Sequence, residues 1–475
     1  MHQLPTAKQT LSIRTSAPIQ QATRSLCNCS RGSAAPRDRT RSPKTDTESH
    51  PHHCIPSARS ICAAPALWHY VDLVVPRMVL KSPRWSTYSY VLFMCTRHPM
   101  LAHLVLAFSI RDLAEARGGD GTGTGNGTTA ALEHYQDALA LFIWHLGHPG
   151  VQSWVTFPAL WLFILYEQTY GDDPRVLQAH LRGLCDMIQC DGSSILSLSE
   201  DTTTVDTCGE AQNSPGVSRE FLNRMALWTV HYDARASTFG LDGGIIDLLN
   251  EKYPGSITAM CEASKDALRV AWGPEYPAAE DVWDSQLDPL WTLDHRSTML
   301  RFKLSRLERA SGGDNSSALR QFGAELKALE IDFLPFIPLA SSRALERSTQ
   351  LSNTCAAVAN FLALVVLYDR LMYDIQSPAV SSVLLVIASL HEYEGDPFLW
   401  HVAWALFVVA FETNDPIHQA WILERFTHMR KNGRHMGRAR SLLESLFWEK
   451  RRSGAGGRVR YSDWIRDGRF PHFLI

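Results

Sequence analysis

The sequence of 475 residues has no β-strand signature of any length. Nowhere do apolar and polar residues alternate over a strand's worth of chain, which excludes a sheet-built fold. The start, MHQLPTAKQTLSIRTSAP, has no apolar core of the kind a secretory leader needs. Ten cysteines are scattered without pairing or regular spacing, so they read as reduced thiols of a cytosolic or nuclear protein. Without a secretory route, the glycosylation patterns at Asn28, Asn126 and Asn315 are accidental. A net charge of −3 gives no global attraction to nucleic acid or anionic membrane. Long hydrophobic runs are missing too. The strongest, 154–166, 355–368, 380–390 and 398–411, each stop short of the roughly 20 residues that span a bilayer. Acids close in at Glu167, Asp369, Asp374, Glu392 and Glu412. These runs are expected to be buried core helices, and no membrane partner is expected.

Catalytic signatures are equally scarce. GGDGTGTGNGTT at 118–129 has glycines but no lysine and no preceding strand, which rules out a Walker or Rossmann loop and leaves a flexible linker. Asp172-Asp173-Pro174 lacks the further carboxylate of a diphosphate-binding helix and reads as a helix start, with an aspartate cap and proline in the first turn. His231-Tyr232-Asp233 is the best local acid–base cluster, but it lies in an apolar helix pattern and reads as a satisfied core pair. Cys355, on an apolar helix, reads as core. There is no serine elbow and no zincin helix. No catalytic, cofactor-binding or metal-ligating residue is assigned, and the chain is not expected to be an enzyme.

Hydrophobic residues make up 45% of the chain and charged residues 20%, a globular composition. Residues 1–65 are the exception, rich in Ser, Thr, Pro, Arg and His, and are expected to be disordered. Within 1–60, nine basic residues against Asp38, Asp46 and Glu48 leave +6, so the rest carries −9. From residue 66 onward, the pattern is helix after helix up to residue 475. Leu132, Tyr135, Leu139, Phe142, Ile143 and Leu146 share one side of a 3.6-residue repeat. Residues 151–170 are apolar nearly all round and belong at the centre. Val176, Leu177, His180, Leu181, Leu184 and Ile188 mark one face of the next helix. Residues 192–217 read as a surface loop. Trp404 lies in a central helix, and Ala439, Leu442, Leu443, Leu446 and Phe447 follow helical spacing closely. The expected fold is all-α, a large irregular helical bundle behind a disordered basic segment. No repeat of fixed period argues for a solenoid.

Several segments, taken in order, carry a likeness. They are RHPMLAHLVLAFSIRDLAEA (97–116), ALEHYQDALALF (131–142), 158–188, RMALWTVHYDARASTFG (224–240), 404–426, RARSLLESLFWEKRR (438–452) and YSDWIRDG (461–468). Together they resemble the fungal-specific transcription factor domain, the regulatory domain of fungal zinc-cluster regulators. The resemblance runs from about residue 66 to the end. It implies an all-α regulatory module in the nucleus, protein partners in the transcription machinery or a related regulator, and a small-molecule effector between the helices.

Members of that family start with six cysteines, opening C-x2-C-x6-C, that hold two zinc ions. Here the early cysteines are Cys27, Cys29, Cys54 and Cys62, whose spacing does not fit. Zinc therefore enters only through a cluster encoded upstream. His50, His52, His53 and Cys54 supply ligand types, but near-adjacent residues in a flexible segment rarely converge tetrahedrally. DNA is reached indirectly, through a missing cluster, or weakly through phosphate contacts by Arg31, Arg37, Arg39 and Arg41. The alternative is a protein-interaction module that has lost its DNA reader. An arginine arm contacts phosphates without reading bases, so binding by this chain should be sequence-independent and vanish at moderate salt. A salt titration on two unrelated duplexes, with and without residues 1–60, checks this. Salt-resistant preference for one duplex would contradict it.

Overall fold

The computed structural model describes residues 63–117, 124–147, 153–196, 217–310, 315–342, 348–453 and 472–475. Among them there are helices and no strand, as the patterning predicts. The expectations for the N-terminal arm, including Arg31, Arg37, Arg39, Arg41 and the His50–Cys54 tract, lie outside the described residues.

Twelve helices carry the architecture: α1 (Pro99–Arg117), α2 (Thr124–Leu146), α3 (Thr156–Tyr170), α4 (Pro174–Leu196), α5 (Arg219–Thr238), α6 (Ala278–Arg309), α7 (Ser316–Asp332), α8 (Thr349–Tyr373), α9 (Ala379–Glu394), α10 (Ala403–Glu412), α11 (Pro416–Met429) and α12 (Arg434–Ser453). Short helices fill the gaps. Their starts follow local chemistry. Ser218 accepts from the Phe221 amide at 3.2 Å and Ser348 from Leu351 at 3.1 Å. Asp173 accepts from the Arg175 amide at 2.9 Å, with Pro174 opening α4, the cap its sequence announces. α3 has no polar face and is buried on every side except at Gln168.

The buried apolar residues form two cores. The first is built from the chain up to Tyr276, plus Phe302 and Leu474. The second takes Phe239 and then residues from Leu290 onward. α6 serves both: Phe302 enters the first, while Leu290, Leu293, Leu300 and Leu304 enter the second. The tail at 472–475 joins them again. Leu474 packs in the first core, and Phe473 and Ile475 in the second. The Phe473 ring lies 4.4 Å from Phe239 and 5.7 Å from Phe407.

Several expectations need correction. The stretch 118–129 is not a linker throughout, because α2 begins at Thr124. Gly127 sits inside that helix, where a β-carbon would come within 2.8 Å of the Ala114 Cβ, so the glycine lets α1 and α2 approach closely. The stretch expected as a loop from 192 is helical to Leu196, where α4 ends, with 197–216 outside the described residues, and the first helix begins at Ala63, inside the segment expected to be disordered. On α2 the face is rotated. Leu132, Ile143 and Leu146 are exposed, and the buried stripe is Ala131, His134, Tyr135, Ala138, Phe142 and His145. That stripe has the same period but uses alanines and histidines, which a search for large apolar residues passes over. On α4, Val176 is exposed while Leu177, Leu181, Leu184 and Ile188 are buried. The apolar run at 355–368 belongs to α8, whose 25 residues are long and apolar enough to cross a membrane. In this fold 72% of that apolar window is buried, the position of a core helix. Trp404, Cys355 and the 439–447 stripe are all buried, as expected.

Phe407 has no exposed surface and ties α10 to the tail. Phe407→Ala should cost about 3–5 kcal/mol. Arg451→Ala, exposed at the end of α12, should stay within about 0.5 kcal/mol. Urea midpoints compare the two, and equal midpoints would remove Phe407 from the core.

Candidate functional site

Where the two cores part along α5 and α6, a cavity of about 320 Å³ opens. Helical spacing supplies its walls. Arg224, Trp228, His231, Tyr232 and Arg235 recur at three- and four-residue steps on α5, and so form a single stripe. α6 contributes Asp284, Asp288, Trp291, Thr298 and Arg301 at steps of three, four and seven. Asn353, Ala357 and Asn360 of α8, with Trp400, His401 and Trp404, close the far side. Lys81, from the segment before helix Thr87–Cys95, reaches in from the first core.

At one end, Lys81 Nζ binds Asp284 Oδ1 at 2.5 Å and the Tyr276 hydroxyl at 2.9 Å, and Tyr276 itself donates to Asp284. Burial pushes the Lys81 ammonium down, and the Asp284 carboxylate offsets this only in part. Burial raises the Asp288 carboxyl. The Arg224 guanidinium lies between rings, 5.6 Å from Trp228 and 5.0 Å from Trp291. At the other end, Arg301 stacks over Trp404 at 4.3 Å and donates to Thr238 Oγ1 and the Ile475 carbonyl, both at 2.9 Å.

Midway, His231 Nε2 meets His295 Nδ1 at 2.9 Å, with the rings stacked 5.2 Å apart. The expected pairing of His231 with Asp233 is not made. Two residue steps turn Asp233 about 200° round α5 from His231. There it accepts from the Gly243 amide at 2.5 Å and the Ile246 amide at 3.1 Å, holding the start of helix Ile245–Lys252. The sequence shows three adjacent polar residues, and the helix divides them between two jobs.

A second polar cluster lies between α1 and α2. His103, His134 and Asp137 bring their donor atoms within 4.8 Å of one another. The two Nδ1 atoms are 3.0 Å apart, and Asp137 Oδ2 is 3.7 Å from His103. Imidazole and carboxylate are ligand types for a divalent transition metal. Spacing in sequence gives no hint of this group, since His103 sits on one helix and the other two on the next.

The described residues thus define an all-helical protein with a polar, tryptophan-lined cavity between two apolar cores. Set against protein-family models, curated proteins and solved structures, the chain matches none.

Burial pushes His231 well down, aided by His295 and Arg235, and pushes His295 down to about 4. In the unfolded chain both titrate near 6.5. As pH falls from about 6.5 toward 4, the unfolded chain takes up protons that the folded one refuses, so stability is lost through that window. Replacing both imidazoles, His231→Asn with His295→Asn, should flatten the pH profile. Urea unfolding at pH 7.0 and 5.0 should show the wild type losing about 2–4 kcal/mol more than the double variant. Equal losses would mean the imidazoles are not held neutral.

Proposed function

We propose that this chain is the regulatory domain of a fungal-type transcription regulator in the nucleus, controlled by a small effector held between its two helical cores. The observation that carries this reading is the cavity. It is lined from both halves of the fold, and a volume of about 320 Å³ lies within the range of small-molecule sites. Its walls offer rings and hydrogen-bond donors, with the central imidazoles bonded to each other and Asp233 engaged elsewhere. Such a lining suits holding a molecule more than transforming one. A ligand seated there touches both cores at once, so its binding energy biases their relative position, the requirement for a switch. The order of segments that resembles the fungal regulatory domain supplies the biological context. DNA specificity then comes from a protein partner or from a zinc cluster encoded upstream.

Tethering the full chain to an unrelated DNA-binding domain in yeast tests this. Reporter output should differ by about fivefold or more from the tether alone. Ala357→Trp, which fills the cavity from α8, should fix output at one level while melting stays near wild type. An unchanged reporter from a folded, nuclear fusion would sink the regulatory role.

A further inference from the structure

We infer that the cavity selects a small organic acid, an aromatic or alicyclic body bearing a carboxylate, with the anionic group at the Arg235 end; this rests on the effector reading above. Two observations carry it. First, the lining holds buried polar atoms with no partner: Arg224 Nε, Ser297 Oγ, His401 Nε2 and Trp404 Nε1. Ser297 and Trp404 are only 3% and 4% exposed. Arg224 Nε and Trp404 Nε1 can only donate, and Ser297 and His401 can donate. Buried donors left unmade are costly, so the complement is a molecule rich in acceptors.

Second, the charges are unevenly matched. Asp284 is taken by Lys81, and the Lys265 ammonium is paired with Glu262 at 2.6 Å. Neither Arg224 nor Arg235 has a carboxylate within ion-pair distance among the described residues. The two ends differ accordingly. Asp284 and Arg224 lie toward one end, whereas Arg235, Arg301 and the Arg235-facing His401 gather at the other. Along α6, Asp284, Asp288 and Asp294 stand about 25, 20 and 10 Å of helix rise from Arg301, which is engaged by Thr238 and the Ile475 oxygen, and none of the three forms an ion pair with Arg235, the cation left for a ligand at that end. Burial, assisted by the Arg235 charge, lowers His401 to about 3, leaving a neutral ring that can donate from Nε2. Between the ends, Trp228, Trp291, Leu287 and Ala356 offer an apolar slot for a flat body. Ring-bearing acids complement that order of rings followed by donors. A cationic ligand would place its charge against Arg235 or leave the donors unmet.

Calorimetric titration of the full chain with 1-naphthoate, 1-naphthamide and 1-naphthylmethylamine tests the inference. The acid should bind about tenfold tighter than the neutral amide, and the amine weakest. Arg235→Gln should shrink the acid's advantage to about threefold or less while amide affinity holds, and Arg235→Lys should restore most of it. Arg451→Gln, outside the cavity, should change nothing. Equal affinity for acid and amide would overturn the anion preference and leave a cavity effector standing. So would an acid advantage that survives Arg235→Gln in a folded protein. If none of the three binds, this inference falls. If the acid binds but the tethered reporter stays silent, the site stands and the regulatory role falls.

Discussion

A helix has one circumference, and α6 must spend it on three neighbours. Leu290, Leu293, Leu300 and Leu304 share one side of α6 and enter the second core, while Phe302, on the opposite side, enters the first, with Trp291 packed against it. At 100° per residue Phe302 lies about five turns from Asp284 on the same line along the helix, so the polar positions form a band on the side that faces away from the leucines. That band carries Asp284, Asp288, Trp291, Thr298 and Arg301, and α5 presents a matching band from Arg224 to Arg235. The leucine side serves the second core, and the opposite side carries both the seam and the contacts with the first. The cavity is therefore a consequence of how two hydrophobic cores share one long helix.

Polar residues in such a seam need partners, and the protein finds them largely in itself. His231 bonds to His295, and Lys81 to Asp284 and Tyr276. Arg301 engages Thr238 and the tail carbonyl of Ile475. Elsewhere the same economy applies to buried acids. Asp112 accepts from His69 at 2.7 Å, Arg77 at 2.6 Å and Tyr170 at 2.5 Å. Burial alone would raise its carboxyl, but these donors together hold it below the usual range.

Helices were legible because their cause is local. Periodic apolar residues, serine and aspartate caps and proline starts placed α3, α4, α10 and α12 close to where they lie. The errors have physical reasons as well. Gly127 looked like linker because glycine weakens helices in isolation, yet contact with Ala114 rewards its small size. The α2 stripe was misplaced because His134 and Ala138, not Leu132 and Ile143, turn inward. Least legible was the candidate site. Arg224, Asp284 and Arg235 look like surface residues one at a time, and their enclosure depends on helices far apart in sequence. A signal was available: Arg224, Trp228, His231 and Arg235 share helical spacing, a mixed polar and aromatic stripe too rich in rings for a solvated face.

The tail has a bearing on how the molecule is made. Phe473, Leu474 and Ile475 enter both cores, the Leu474 amide donates to His435 Nδ1 at 2.6 Å, and the His472 ring lies 2.6 Å from the Phe239 carbonyl. Every helix among the described residues precedes these four residues in the chain. During synthesis, then, both cores wait unsealed, with Phe239 and Phe407 lacking their last neighbour and Arg301 lacking a carbonyl. Exposed apolar surface of that kind is what chaperones hold. A chain halted before residue 472 therefore presents an open seam to the cell.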